Sequence, residues 1–192
     1  MTFPSPHHLP PVRVTGVGPW TACAPAAEAL SLACECPENW QVGVERNTAQ
    51  AYTQVIILGP RNAADSFSAG LTLRRLAPKA AGGLYADLSA LMAARATQRQ
   101  ANPQYVEHGT GERRLGDVLA FWTDFSVTAP MPPHSVSAQP TTVRTRIFQF
   151  TWQGALYELA CAADAADFAT YAPVLDHLLA TLQFLPQQPR GS

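Results

Sequence analysis

The feature that most constrains the fold is a series of short segments in which apolar residues occupy every second position. The clearest of these segments places four apolar side chains on one face: Leu30, Leu32, Cys34 and Cys36. A period of two predicts β-strands with one buried face. A turn at residues 37–40 ends this strand, and similar short turns separate most of the others. Short connections favour antiparallel pairing of neighbouring strands.

Seven further segments carry strand signals: residues 42–44, 52–58, 67–76, 104–110, 115–128, 142–152 and 156–162. Two segments have a helical period instead. The first has an apolar stripe that begins at Leu84 after two glycines and fades near residue 101. The second covers residues 168–182, where Pro173 indicates either a kink or the start of the helix. The chain is therefore predicted to be an α+β protein, a largely antiparallel β-sheet covered by helices.

The length of 192 residues suits one domain. Residues 1–27 are rich in proline and alanine without a sustained period, which predicts an irregular N-terminal arm with at most one short strand, at residues 12–17. Residues 28–186 are predicted to form the single domain, and residues 187–192 a disordered tail.

Composition limits the functions to consider. The net charge is −1 and only 14% of residues are charged, so nucleic acid is not a predicted partner. No segment resembles a secretory signal or a membrane span, which predicts a cytoplasmic protein. Arginine outnumbers lysine twelve to one and there are 32 alanines, which is typical of a GC-rich bacterial genome.

Three short motifs, taken in this order of elements, support a family resemblance. They are Pro-x-x-Trp at residues 37–40, GALYEL at residues 154–159 and LQF at residues 182–184. Over residues 28–184 the chain resembles the PsbP-like group, named for an extrinsic subunit of photosystem II, which includes bacterial DcrB-like and lipoprotein domains. The group shares its fold with a nuclear-import factor that binds Ran. The resemblance implies an α-β-α sandwich with a binding or assembly role, and it transfers no catalytic motif and no cofactor.

The four cysteines admit three interpretations. Cys34 and Cys36 share one face of a strand, and Cys23 or the pair His7–His8 would complete a tetrahedral metal site. A structural disulfide is the second interpretation. No second Cys-x₂₋₄-Cys pair is present, so the favoured interpretation is that the cysteines are reduced and act as small apolar residues.

No arrangement of residues predicts catalysis, and we predict no catalytic, cofactor-binding or metal-binding residue. The segment GTGERRLG at residues 109–116 lacks the lysine of a phosphate-binding loop and predicts a hairpin turn. Asp176 and His177 are adjacent on a helix and cannot face each other. The histidines are predicted to be solvated: His7, His8, His108, His134 and His177.

Asp124 is unusual because it places a charge inside an apolar strand. It is predicted to lie at the exposed end of that strand, or to pair with Arg144 or Arg146 across a hairpin. Three tryptophans in strand-like patterns are predicted to serve the core, with the lining of a hydrophobic groove as the alternative. They are Trp40, Trp122 and Trp152.

A proline-rich segment at residues 129–140 is the candidate partner-facing loop, with Met131, Pro132, Pro133 and His134 at its centre. A mobile hairpin tip is the simpler and favoured interpretation of it.

Three functions remain open. The first is a non-enzymatic, accessory or chaperone-like module whose partner is another protein, with homodimerisation left open. The second is a carrier that holds a small apolar ligand between sheet and helix. The third is an enzyme with a scattered site.

Overall fold

The computed structural model of the chain describes residues 17–27, 30–47, 52–77, 79–133 and 135–185. The strands are β1 Trp20–Cys23, β2 Ala26–Ala27, β3 Leu30–Pro37, β4 Gln41–Asn47, β5 Tyr52–Arg61, β6 Ser68–Leu76, β7 Tyr105–Leu115, β8 Val118–Met131, β9 Gln139–Trp152, β10 Ala155–Asp164 and β11 Gln183–Phe184. The helices are α1 Leu88–Gln100 and α2 Phe168–Thr181.

Seven strands form one antiparallel sheet in the order β4-β5-β6-β10-β9-β8-β7. A smaller sheet has the order β1-β3-β11, and β2 pairs with β3 beside it. The described pairings of both sheets are antiparallel. The predicted α+β architecture with a largely antiparallel sheet is therefore confirmed.

The two faces of the large sheet are covered in different ways. Odd-numbered residues of the central strand β10, such as Tyr157 and Leu159, face α2 and β3 in the main apolar core. Helix α2 inserts six buried side chains there: Phe168, Val174, Leu175, His177, Leu178 and Leu179. At about 1.5–3 kcal/mol for each large apolar side chain, this face supplies most of the hydrophobic stabilisation.

Helix α1 covers the opposite face with much less apolar contact. Its one buried residue is Leu91, which packs against Leu76 and Leu156. Next to this small cluster Arg95 donates two hydrogen bonds to the carboxylate of Glu158, from Nε at 2.9 Å and from Nη2 at 2.7 Å. The Glu158 side chain is only 4% exposed, so a buried ion pair holds α1 to the central strand. The hydrogen bond with Glu158 raises the pKa of Arg95 above its ordinary value.

Asp124 lies in the interior of β8 and pairs with both predicted arginines. Arg144 and Arg146 of β9 donate to its two carboxylate oxygens at 2.9–3.2 Å. Burial alone would raise the pKa of Asp124. The hydrogen bonds and positive charges of the two arginines outweigh burial and hold that pKa below its usual value. The pairing across the hairpin is confirmed, whereas the alternative of an exposed strand end is wrong, since Asp124 is 3% exposed.

Several predicted boundaries differ from the structure. The turn between β7 and β8 lies at Gly116 and residue 117, and the predicted turn segment 109–116 is mostly strand. Gly116 has φ +58°, which favours glycine, whereas Gly111 pairs with Trp122 inside the ladder. Strands β8 and β9 also extend into the predicted loop 129–140, so its proline content overstated the length of the loop.

Both helices and the arm also differ from prediction. Helix α1 begins at Leu88, because the Asp87 side chain accepts a hydrogen bond from the Ala90 N–H and so caps it. Helix α2 does not start at Pro173, which lies inside it. The arm was predicted to be irregular, yet β1 pairs with β3, a long-range contact that local periodicity cannot reveal. Residues 1–16 of the arm and the predicted tail lie outside the described residues.

The Arg95–Glu158 pair predicts how the free energy of unfolding differs among the wild type, a single variant and a double variant. Arg95→Met leaves a buried carboxylate without its cation and should lower the free energy of unfolding by about 3 kcal/mol. The double variant Arg95→Met/Glu158→Met should be more stable than Arg95→Met by about 1–2 kcal/mol, because no desolvated charge remains and the residual cost is the buried Gln149 Nε2, which loses its acceptor. Urea unfolding of the three proteins measures this. A double variant as unstable as Arg95→Met would refute the assignment.

The Asp124 site predicts a pH-dependent stability. Because the folded-state pKa is depressed, the carboxylate stabilises the fold above its unfolded pKa of about 3.9, and this is lost as pH falls through the folded pKa. Asp124→Asn should therefore cost about 2 kcal/mol at neutral pH, and the difference should shrink below about pH 4. Asp176→Asn is the matched control, because Asp176 is half-exposed and should cost under about 1 kcal/mol. A constant difference down to acid pH would contradict the pairing.

Candidate functional site

A cavity of about 330 Å³ lies between α1, the loop that precedes it and strands β5 and β6. Ligand sites commonly enclose about 300–1,000 Å³, so this volume suits a small molecule. Its lining combines aliphatic, aromatic, positively charged and neutral amide side chains: Tyr52, Arg74, Leu76, Ala77, Leu84, Tyr85, Arg95 and Gln98.

The floor of the cavity is set by the register of the sheet. Tyr52 of β5 lies opposite Leu76 of β6, and Gln54 lies opposite Arg74. Residues in register on an antiparallel pair project to the same face, so these side chains face α1. The Arg74 Nε–H donates to Gln54 Oε1 at 2.8 Å, and Gln54 Nε2 donates to Glu45 Oε2 at 2.6 Å. The buried amide thus connects Arg74 to a carboxylate on the edge strand.

The remaining wall is the loop between β6 and α1. The Lys79 N–H donates to the Tyr85 carbonyl at 2.8 Å, and Gly82 adopts φ +84° in between, a conformation that other residues rarely adopt. Because Asp87 starts the helix, Leu84 lies in the loop and not on the helical stripe. Leu84 is 72% exposed and lines the cavity, so an apolar side chain borders its opening.

The two arginines of the cavity are in different electrostatic states. The charge of Arg95 is matched by Glu158, and its guanidinium lies 5.7 Å from the Tyr85 ring centroid. The Arg74 guanidinium lies 5.1 Å from the Tyr52 ring centroid, and its Nε bonds a neutral amide. Among the described residues no carboxylate is within ion-pairing distance of Arg74, and none accepts a hydrogen bond from its Nη groups. The Nη groups of Arg74 are therefore hydrogen-bond donors that a ligand could use.

This arrangement can bind and orient a ligand through charge and apolar contact. Arg74 offers a cationic fork, whereas Leu76, Leu84 and Ala77 offer aliphatic surface. The carboxylate of Glu158 accepts hydrogen bonds from Arg95 and from Gln149 Nε2, so it serves structure on this face. The arrangement thus suits binding through a fixed cation.

The cysteines lie elsewhere, on the opposite side of the sheet. Cys23 lies opposite Cys34 in the β1–β3 ladder, with the two Sγ atoms 3.2 Å apart, and all four cysteines are free. Burial raises the pKa of Cys36 and of Cys161 to about 12, and it raises that of Cys34 as well, which keeps the buried thiols protonated. Within the described residues no three His, Cys, Asp or Glu side chains could hold a metal ion.

The prediction that all histidines are solvated is wrong for His177. His177 is 6% exposed on the buried face of α2, and its Nε2 lies 2.7 Å from Glu35 Oε2. Its partner comes from β3, far away in sequence, so no local pattern could reveal it. His108 is exposed, as predicted, although its Nε2 contacts Ser126 Oγ at 2.6 Å. His7, His8 and His134 lie outside the described residues.

The tryptophans and the glycine-rich strand serve the fold. Trp40 is buried in the core, whereas Trp122 and Trp152 are half-buried and pack against it. A Cβ on Gly111 would lie 3.0 Å from the Trp122 ring, so glycine lets this ring lie over β7. The core prediction is confirmed for Trp40 and in part for Trp122 and Trp152, and none of the three lines the cavity.

The candidate partner-facing loop is only partly described. Met131 ends β8, Pro132 is half-buried and Pro133 is exposed, while His134 lies outside the described residues. A partner for this loop therefore stays a prediction.

The residues of the cavity were missed at the level of sequence. Arg74 lines the cavity and bonds Gln54 across the β5–β6 hairpin, whereas Glu158, which lies opposite Arg74 and binds Arg95, comes from β10, far away in the chain. The available signal was a polar residue inside each strand, of the kind that singled out Asp124. Reading that signal as a site also requires the strand order, which local periodicity does not supply.

Neither α1 nor α2, the helices of the described residues, has the length and the apolar composition of a membrane span.

No family model and no curated protein matches this chain. The chain is similar to several solved structures. One is PA94 of Pseudomonas aeruginosa, a protein of unknown function, with 14% sequence identity and a TM-score of 0.49. The match covers 88% of this chain and 98% of PA94. LpqN of Mycobacterium tuberculosis, described as involved in cell envelope biogenesis, has 14% identity, coverage of 88% and 86% and a TM-score of 0.45. The PsbP of the cyanobacterium Synechocystis sp. PCC 6803 (CyanoP) has 11% identity, coverage of 91% and 98% and a TM-score of 0.49. The structural neighbours of the chain thus include a member of the PsbP-like group.

Proposed function

We propose that this protein is a non-enzymatic binding module that holds a small ligand in the cavity beneath α1. The observation that carries the proposal is the cavity of about 330 Å³, bordered by Leu84 and by Arg74. Exposed leucine and a guanidinium without a carboxylate partner both gain from a ligand, because the first loses contact with water and the second gains an acceptor.

This proposal modifies the carrier hypothesis drawn from the sequence. A pocket between sheet and helix was expected to be apolar, but this one has two arginines in its lining. The arginines follow from the polar attachment of α1, since this face has little apolar packing to fill the space. An accessory role would follow if the bound ligand controlled access of another protein to this face. The cytoplasmic location expected from the sequence stays a prediction.

The proposal is tested by blocking the cavity. Ala77→Trp places an indole in a space that holds about eleven water molecules at about 30 Å³ each, and should abolish binding of small fragments. Ligand-observed saturation-transfer NMR with a set of neutral, cationic and anionic fragments measures binding.

Leu119→Trp is the matched control, because it adds the same ring at an exposed position of β8 outside the cavity. Fragments should bind the wild type and Leu119→Trp but not Ala77→Trp. Equal saturation of the three proteins would show that the fragments bind elsewhere and would overturn the proposal.

A second candidate function, binding of another protein, is favoured by β4. This strand is one edge of the large sheet, and in the described residues no strand pairs with its outer side. Val42 and Val44 project from it and are 41% and 46% exposed. An exposed edge with apolar side chains suits the addition of an extended segment from a partner.

A charge at this edge should block such a partner. Val44→Lys should reduce capture of the partner from extracts of the native host several-fold, since edge lysines oppose strand addition. Val106→Lys is the control, because Val106 is an exposed valine on β7, the other edge strand. Quantitative mass spectrometry of the captured proteins compares the variants. Equal recovery with both would exclude β4 as the binding edge.

A further inference from the structure

We propose that the ligand of the cavity beneath α1 is a small free carboxylic acid, a singly charged carboxylate on an apolar body, bound through Arg74. This inference rests on the proposed function and specifies its ligand class. It draws on four observations about the cavity, namely its charge, the geometry of its donors, its volume and the position of its apolar side chains.

The charge of the cavity favours a single negative charge. Arg74 and Arg95 contribute two positive charges, and Glu158 removes one of them through the two hydrogen bonds from Arg95. Arg74 makes no ion pair with a described residue, because Gln54 is neutral and Glu45 is reached only through that amide. Glu158 lies opposite Arg74 in the β6–β10 ladder, but both of its oxygens accept hydrogen bonds from Arg95. One unmatched guanidinium balances a monoanion, whereas a phosphate monoester of about −1.5 to −2 would leave negative charge in excess.

The geometry of the donors favours a planar anion. A guanidinium presents parallel N–H groups that match the two oxygens of a carboxylate. The Nε side of Arg74 is occupied by Gln54, and the Tyr52 ring lies 5.1 Å away. The terminal Nη groups are the donors that remain for a ligand. An anion bound to these Nη groups would be a counter-charge for Arg74, as Glu158 is for Arg95.

The volume of the cavity and its apolar side chains limit the size and the chemical character of the uncharged part of the ligand. A space of about 330 Å³ equals about eleven water molecules, which corresponds to a ligand of about a dozen non-hydrogen atoms. Leu76 at the floor and Leu84 at the opening are separate from the Arg74–Gln54 contact, so an apolar body can extend between them. Leu84 is 72% exposed, and contact with the body would remove part of its surface from water.

Three probes of similar size separate the ligand classes. They are 3-phenylpropanoate, its neutral amide 3-phenylpropanamide and the dianion phenyl phosphate. Each is titrated into the full isotope-labelled chain, and ¹H–¹⁵N NMR follows the backbone signals of residues 74–77 and 84–85 together with the Arg74 Nε–H. We expect the carboxylate to bind at least about tenfold more tightly than the amide and more tightly than the phosphate, with the largest shifts at these signals.

Variants test the role of Arg74. Arg74→Gln should weaken 3-phenylpropanoate by about tenfold and leave 3-phenylpropanamide nearly unchanged, and Arg74→Lys should restore part of the loss because it keeps the charge without the fork. Arg114→Gln is the matched control. Arg114 is exposed on β7, four strands from β6 and hence about 19 Å away, so its loss should change neither probe. Dispersed NMR spectra of each variant establish that it is folded.

Each contrary outcome has a distinct meaning. Equal affinities for acid and amide would overturn the carboxylate class while leaving the cavity as a ligand site. Tighter binding of phenyl phosphate would replace carboxylate by phosphate. An equal loss of binding in Arg74→Gln and Arg114→Gln would reduce the effect to overall charge and overturn the role of Arg74. Absence of shifts with every probe would also overturn the inference, and the fragment test with Ala77→Trp would still decide whether the cavity binds ligands.

Discussion

The buried carboxylate of Glu158 is the constraint on which the α1 side of this protein depends. It lies on β10, the central strand of seven, where it is 3% exposed. A carboxylate at that position is tolerable only with a cation and further hydrogen bonds, which Arg95 and Gln149 provide. Because Arg95 belongs to α1, the requirement for a counter-charge also fixes where that helix lies on the sheet.

The cavity follows from this mode of attachment. Helix α2 is held by a continuous apolar core, which fills space because aliphatic side chains interdigitate. Helix α1 has one buried residue, Leu91, and is oriented by an ion pair whose geometry is directional. Directional contacts leave unfilled space where packing is sparse, here beside Tyr52 and Arg74. The same sheet therefore has a closely packed side that supplies stability and a polar side with room for a ligand.

The sequence contained enough information for the elements but not for the site. Alternation predicted most of the strands, and the charge inside β8 predicted the pairing of Asp124, because both depend on neighbours joined by one hairpin. The contact of His177 with Glu35 and the pairing of β1 were not predictable in this way, since their partners are distant in the chain. The start of α1 was within reach, because Asp87 has the side chain of a typical N-cap.

The two arginines of the cavity illustrate how similar residues acquire different roles from their surroundings. Arg95 meets a buried carboxylate, so its fork is saturated and its removal would mainly affect folding. Arg74 lies opposite Glu158 in the β6–β10 ladder, but it donates its hydrogen bond to the neutral amide of Gln54 on the other side. A guanidinium supported by an amide and an aromatic ring is held in place without being neutralised. Because Arg95 is already paired with Glu158, Arg74 at the border of the cavity is the residue through which this face can recognise an anion.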